Sequence, residues 1–369
     1  MENKMKKLNF EAIAKIDDST AIAISDKFNA LFRVNMVSGC SDFLGIIPDE
    51  KINSTRLYTK AIYMNGKVYF APSSAKNIAV YSVEDNRIYK LYVKKTNKTK
   101  HEGYKNNSNF NGAVIYGKYI FMVPCTYPGV VRIDTTNDQL QYFDNWITNE
   151  KYTFRKSVAV DGENFFVPSV INNLVLKFNM CTCEGELVHV GKHNAGCWSM
   201  CKVDDYFWMA PQKQGPIIKW NPITGICQEL DHYPMEFKGN GFLFTKIYCH
   251  ADKLYLIPAF ANMGVMVSLN NSVIEKSDIP DNQSHSAIML MFELDEYLYL
   301  KIQDNNGEKL LRINMLNNSK ETYEFTFNEG FEEYNRMYEK ALQETKEVIK
   351  EQSFWGLEEF IKLVTSAED

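Results

Sequence analysis

The chain has 369 residues, 45 % of them hydrophobic, and a formal net charge of −5. That is ample material for a core, yet no stretch approaches the roughly 18 uncharged apolar residues of a membrane span. Residues 331–369 hold ten acidic and five basic side chains, the whole of the imbalance. The remaining body is neutral, which argues against general nucleic-acid binding, since that works by neutralising many phosphates.

Met1 to Lys7 is polar with no apolar run behind it, so no secretory signal is expected. Eight cysteines are scattered through a chain too large to need stapling, and reduced thiols in a cytoplasmic protein are expected. The dominant signal follows. Seven times, at intervals of 42 to 52 residues, a short strand ends in a hydrophobic residue followed by Asn, Asp or Ser. In order these are Val34-Asn35, Tyr81-Ser82, Ile133-Asp134, Phe178-Asn179, Trp220-Asn221, Val267-Ser268 and Ile313-Asn314. A short polar side chain there bonds the backbone two residues on and starts a turn. A period of this length marks repeat architecture.

Each repeat divides into four short strands. In the second, Ala61–Met64 leads to the hairpin dipeptide Asn65-Gly66, then Lys67–Pro72, a loop, Ile78–Tyr81, a turn and Ile88–Val93. Hairpins recur at Tyr116-Gly117, Asp161-Gly162, Asp204-Asp205, Ala251-Asp252 and Asp295-Glu296. The second strand runs into proline at Pro72, Pro124, Pro168, Pro211 and Pro258, where ladder pairing must stop. Four strands per repeat and no helical pattern before Phe331 predict an all-β fold, a seven-bladed β-propeller over residues 10–330. No half-repeat is left over, so each blade is expected to be contiguous, with the ring closed by packing of blade one on blade seven.

From Phe331 the pattern becomes helical. Phe331, Tyr334, Met337, Tyr338, Ala341, Leu342, Thr345, Val348 and Ile349 recur at spacings of three and four. Ser353 then caps a second segment holding Phe354, Trp355, Leu357, Phe360, Ile361 and Val364. A C-terminal helical extension over 331–369 is expected, packing on the ring or docking a protein partner. Its acidic polar face disfavours a membrane surface.

The repeats resemble the loose consensus shared by quinoprotein-like, kelch-like and WD-like propellers, and Ile223-Thr224-Gly225 is a fragment of a quinoprotein turn. The resemblance implies an architecture rather than an activity, because propellers host hydrolases, lyases, oxidoreductases and pure scaffolds.

In such a ring the loops joining second and third strands gather with the inter-blade connections on one face around the channel. The loops Ser73–Asn77, Cys125–Gly129, Ser169–Asn173, Gln212–Pro216 and Ala259–Gly264 contain no Asp or Glu. That weakens a glycosidase, which needs paired carboxylates, and a calcium site. Aromatics recur at the start of the first strand, at Tyr58, Phe110, Phe154, Trp198 and Phe244. Lys60, Lys156 and Lys246 follow them and are expected to aim positive charge at the channel, with Arg155 beside Lys156. The connection 94–109 carries five Lys against one Glu and reads as a solvated loop.

His189 and His193 are four apart, but Gly191 between them excludes a helical zinc pair, and no metal or cofactor is expected. His193 and His285 lie on inter-blade connections, where either is a candidate general base. Cys197 beside His193 is a weaker candidate nucleophile. The expected function is a non-catalytic binding propeller. Its ligand is expected to be polar and anionic, a glycan or peptide, held by Tyr58, Lys60, Arg155, Lys156, His193, Trp198, Lys246 and His285. The alternative is a hydrolase or lyase using His193 or His285, with Arg155 or Lys156 stabilising developing negative charge.

Overall fold

The computed structural model describes residues 7–94, 108–155, 157–239, 241–277, 287–304 and 307–328, with scattered positions between 332 and 343. These form seven four-stranded antiparallel blades, each from contiguous sequence. Blade one spans residues 10–45, and the others follow at 58–91, 110–143, 159–189, 197–230, 244–276 and 287–323.

The sequence pattern explains the layering. The second strands Lys67–Pro72, Tyr119–Pro124, Tyr206–Pro211 and Lys253–Pro258 are buried at every position after the first. Both faces of each blade lie against neighbouring blades, so a continuous apolar run replaces the usual alternation. Fourth strands such as Gln139–Phe143 are largely open to solvent and form the rim. First strands of successive blades run beside one another around the axis.

Turn chemistry is as the sequence implies. Asn65 and Gly66 have φ of +52° and +74°, as a two-residue hairpin of the primed type requires. After the third strands, the Asn179 side-chain oxygen accepts the N–H of Cys181 at 2.9 Å and of Thr182 at 2.8 Å. Asn221 does the same for Ile223 and Thr224, both at 2.9 Å.

Ring closure differs from the expectation. Phe325–Phe327 adds a fifth strand outside blade one, parallel to Cys40–Gly45, and Lys7–Leu8 adds a sixth, antiparallel to Phe325–Phe327. The ends of the ring are thus joined by backbone pairing as well as packing. Phe325 is buried against Phe10, Tyr299 and Tyr323. Across the same seam Lys15 pairs with Asp295 at 2.8 Å.

Of the expected helical extension, Glu332, Glu333, Asn335–Met337, Glu339, Lys340 and Gln343 are helical, and Met337 packs on the core of blades one and seven. The rest of 331–369 lies outside the described residues.

Candidate functional site

The recurring prolines build the rim of the channel. Proline ends the ladder, and the residue after it turns to its neighbours. Ser73 donates its N–H to Leu57 O at 2.8 Å, and its carbonyl accepts Asn109 N at 2.9 Å. Cys125 N bonds Asn109 O at 2.9 Å and Cys125 O accepts Phe154 N at 3.4 Å. The same relay continues through Ser169 O to Cys197 N, Gln212 O to Leu243 N and Ala259 O to Ile288 N. A main-chain girdle therefore fixes the mouth from blade two to blade seven.

Beneath it, the first strands carry a repeated bulge. Register shifts between Tyr58 and Lys60, Phe110 and Gly112, Cys197 and Ser199, and Phe244 and Lys246. A bulge sets two residues opposite one and re-aims a side chain. In three blades the extra residue is small, polar and buried, and ties to the next blade. Thr59 Oγ1 donates to Phe110 O at 3.1 Å, Asn111 Nδ2 to Phe154 O at 2.8 Å, and Thr245 Oγ1 accepts Leu290 N at 2.8 Å. Blade five departs. Cys197 takes the position that Tyr58, Phe110 and Phe244 hold opposite a proline, and Trp198 is the bulged residue. The tie passes to Ser199, whose Oγ accepts Ile247 N at 3.0 Å.

Consequently the recurring aromatics are not equivalent. Tyr58, Phe110, Phe154 and Phe244 are fully buried, whereas Trp198 is half-buried. Tyr58 packs on Phe70 in the core and offers no ring face to a ligand, a correction to its expected binding role; burial also pushes its phenol pKa up. Trp198 lies 3.8 Å from the Phe242 ring centroid, and Phe242, Ala259, Phe260 and Met289 complete a small apolar cluster with it. The Arg155 guanidinium stands 5.5 Å over the Trp198 ring. Phe242, Phe260 and Met289 were not marked by the sequence pattern, because they come from a connection, a loop and a first strand far apart in the chain.

Of the expected ring of positive charge, one described member is neutralised. Lys246 pairs with Glu293 at 2.7 Å and its side chain is only 12 % exposed, so its charge is neutralised by blade seven. Lys60 is half-buried. Lys156 and His285 lie outside the described residues, as does most of the lysine-rich connection at 95–107.

His193 is oriented rather than buried. Its Nδ1 lies 2.6 Å from Glu229 Oε2, and Glu229 Oε1 accepts the Lys192 N–H at 2.6 Å and the His193 N–H at 3.2 Å. Burial works to raise the Glu229 pKa, but these hydrogen bonds outweigh it and hold the carboxyl below its usual range. Cys197 is not a partner for this imidazole: burial pushes its thiol up to about 12, so it stays protonated. Cys201 is likewise pushed to about 12 by burial, against the opposing charge of Lys246. The crevice beside Cys197, lined by Pro168, Asn173, Val190 and Ile218, leaves no room for a water molecule. Among the described residues no group of three His, Cys, Asp or Glu side chains is placed to hold a metal.

No family model and no curated protein sequence matches the chain. Solved structures do match its fold. A catalytically inactive virginiamycin B lyase from Staphylococcus aureus, solved with quinupristin, is 13 % identical with a TM-score of 0.57, covering 82 % of this chain and 94 % of that one. BamB from Moraxella catarrhalis is 12 % identical with a TM-score of 0.52, covering 82 % and 85 %. A chain of the mitotic checkpoint complex is 11 % identical with a TM-score of 0.56, covering 84 % and 90 %. At such identities the likeness is one of fold, the seven-bladed propeller, and not of activity.

Proposed function

We propose that this propeller is a binding module that takes a polar, anionic ligand, a glycan or a peptide, at the mouth of its channel. The observation that carries the reading is the Arg155 guanidinium held over half-buried Trp198 on a rim fixed by main-chain bonds. Lys60 is a half-buried cation on blade two, and the loops joining second and third strands in blades two to six contain no acid. A preorganised rim loses little freedom on binding, which favours affinity. The thiols nearby are protonated and unsuited to nucleophilic chemistry.

The test is calorimetric titration of the full chain with acidic and neutral oligosaccharides and peptides. Anionic ligands should bind and weaken as salt rises, and Arg155→Gln should weaken them about tenfold. Equal response to neutral and anionic ligands, or none to either, would sink the reading.

A second reading, a hydrolase or lyase, is favoured by one observation: Glu229 orients the His193 ring while the side chain stays 63 % exposed. A carboxylate-oriented imidazole is a general-base arrangement. Turnover of a bound ligand, followed by mass spectrometry in the same titrations, separates the two. Residues 331–369 are proposed to dock or orient a protein partner, and the acidity of that segment supports a basic partner surface.

A further inference from the structure

Four residues after the polar residue that ends each third strand, all seven blades place a residue with φ between +49° and +74°. Two are glycines, two asparagines, one an aspartate and one a serine; in blade four it is Cys183. That backbone region favours Gly, Asn and Asp, and a cysteine gains nothing from it locally. In blades three and seven the position reaches back to the preceding blade through oxygen. Asp138 accepts Lys67 Nζ of blade two at 2.7 Å, and Asn318 Oδ1 accepts the Tyr248 hydroxyl of blade six at 2.8 Å. Cys183 does the same with sulfur, and Arg132 Nη1 of blade three lies 3.2 Å from its Sγ. Sulfur is the weaker acceptor, so an Asp or Asn would hold Arg132 better. What the thiol adds is redox chemistry, and a second thiol stands two residues away. Of the eight cysteines Cys181 is the exposed one, whereas Cys183 is buried. Both face blade three. The Tyr116 phenol is pushed up by burial, by its bond to Glu163 and by the Cys181 sulfur beside it, and Tyr116 packs on the cluster that holds Cys183. Asn179 fixes the turn through its side chain, and its carbonyl accepts the Cys183 N–H at 2.9 Å. Two α-carbons one residue apart in a bent turn are ~5–6 Å from each other, within the range a disulfide spans. Burial pushes the Cys183 thiol up, and the Arg132 charge works against that rise, favouring the thiolate.

We propose that Cys181 and Cys183 form a reversible redox site, in which exposed Cys181 reacts with a low-molecular-weight disulfide and Cys183 then closes an internal disulfide across the turn. In the first step the Cys181 sulfur attacks one sulfur of the external disulfide. A mixed disulfide forms, the external S–S bond breaks and one small thiolate leaves. Cys183 Sγ then attacks the Cys181 sulfur and expels the second thiolate. The two protons lost by the protein thiols go to the two small thiolates. The protein is thus oxidised by two electrons, and the external disulfide is reduced to two thiols. A fixed turn gives the second step a high effective concentration, which offsets the burial of Cys183. A disulfide closed over so short a loop is strained and easily reduced, which makes the reaction reversible.

The experiment equilibrates the full, folded chain in buffers of increasing oxidised-to-reduced glutathione ratio, traps free thiols by alkylation and digests with trypsin. Both cysteines fall in one peptide, Phe178–Lys192. Under oxidising ratios that peptide should appear two hydrogens lighter and unalkylated, and excess reduced glutathione should return it to the doubly alkylated form. Cys183→Ser should stop the reaction at Cys181 with glutathione attached, and Cys181→Ser should leave Cys183 alkylated only after unfolding. Arg132→Gln should slow closure of the mixed disulfide about threefold, since a one-unit rise in thiol pKa removes about nine-tenths of the thiolate but leaves the remainder more nucleophilic. The serine variants change one atom each and test the site even where Arg132→Gln does not fold. Persistence of glutathione on Cys181 in the parent, with Cys183 still a free thiol, would overturn the proposal. So would a disulfide joining Cys181 of two chains in place of the internal one.

Discussion

Asp138 shows how much one residue at an outer turn contributes to this ring. It sits in the turn after the third strand of blade three with φ of +60°. From there its carboxylate accepts hydrogen bonds from three groups of blade two: Lys67 Nζ, Tyr69 OH and Tyr89 OH, each at 2.7 Å. Burial works to raise its pKa, but the bonds from Lys67, Tyr89 and Tyr69 outweigh it and hold the carboxyl below its usual range. A depressed folded-state pKa gives stability that is present above the ordinary aspartate value of about 4. It is lost as pH falls further, through the folded value. Asp138→Ala strands the buried Tyr69 phenol, the half-buried Tyr89 phenol and an ammonium, and should cost about 2–4 kcal/mol in urea unfolding at neutral pH. The deficit relative to the parent should shrink at acid pH, as the parent loses the same bonds. An equal deficit at both pH values would mean the carboxylate is not the source. None of this was legible in the sequence, where Asp138 is one more polar turn residue; its partners stand 49 to 71 residues away. The same distance hid the Lys246–Glu293 pair. At Trp198 the error was local: hydrophobicity aligned it with Tyr58 and Phe244, but the backbone register aligns it with Thr59 and Thr245.

Among the elements, the blades were the most legible, because a polar residue after each third strand and a proline after most second strands are dictated by local backbone chemistry. What joins one blade to the next was less so. Gly196, just before the first strand of blade five, illustrates the tightness of those joints. A Cβ there would lie 1.8 Å from Val170 O and 2.1 Å from its carbonyl carbon, in the loop of blade four. Both obstacles are main chain and cannot swing aside. Gly196→Ala should therefore push the connection off its neighbour, break the Cys197 N to Ser169 O bond of 2.9 Å, and cost about 3 kcal/mol or more. Thermal unfolding would measure it, and an unchanged midpoint would mean the rim is far more pliable than its bonding suggests. Phe325–Phe327 went unseen for a different reason. Three residues are too few to show a period, and their role exists only once the ring brings blade one alongside.

For the whole molecule, the seam between blades one and seven decides whether the ring is closed. Its ion pairs range from Lys301–Asp26 at 3.7 Å, with side chains 22 % and 10 % exposed, to Lys15–Asp295, where they are 30 % and 49 % exposed, and exposed pairs contribute little. Apolar packing dominates. Phe325 is 1 % exposed, with ring centroids 4.9 Å from Phe10 and 5.0 Å from Tyr323. Phe325→Ala should cost about 3–5 kcal/mol, more than a large-to-small change on the rim, and should expose the connection after blade seven to limited proteolysis. A variant as stable and protease-resistant as the parent would show that the outer strand is decoration. The pairing of the ends also has a mechanical side. Lys7 lies opposite Thr326 and Leu8 opposite Phe325 in an antiparallel pair. The chain leading back from Lys7 and the chain leading on from Phe327 therefore depart from the same end of that pair. A force drawing them apart loads its bonds one after another, like a zip, instead of shearing them together. Tension between the two ends would thus peel the outermost strand, Lys7–Leu8, from Phe325–Phe327 before it reached the four strands of blade one. The clasp gives way first, and the blades behind it bear load last.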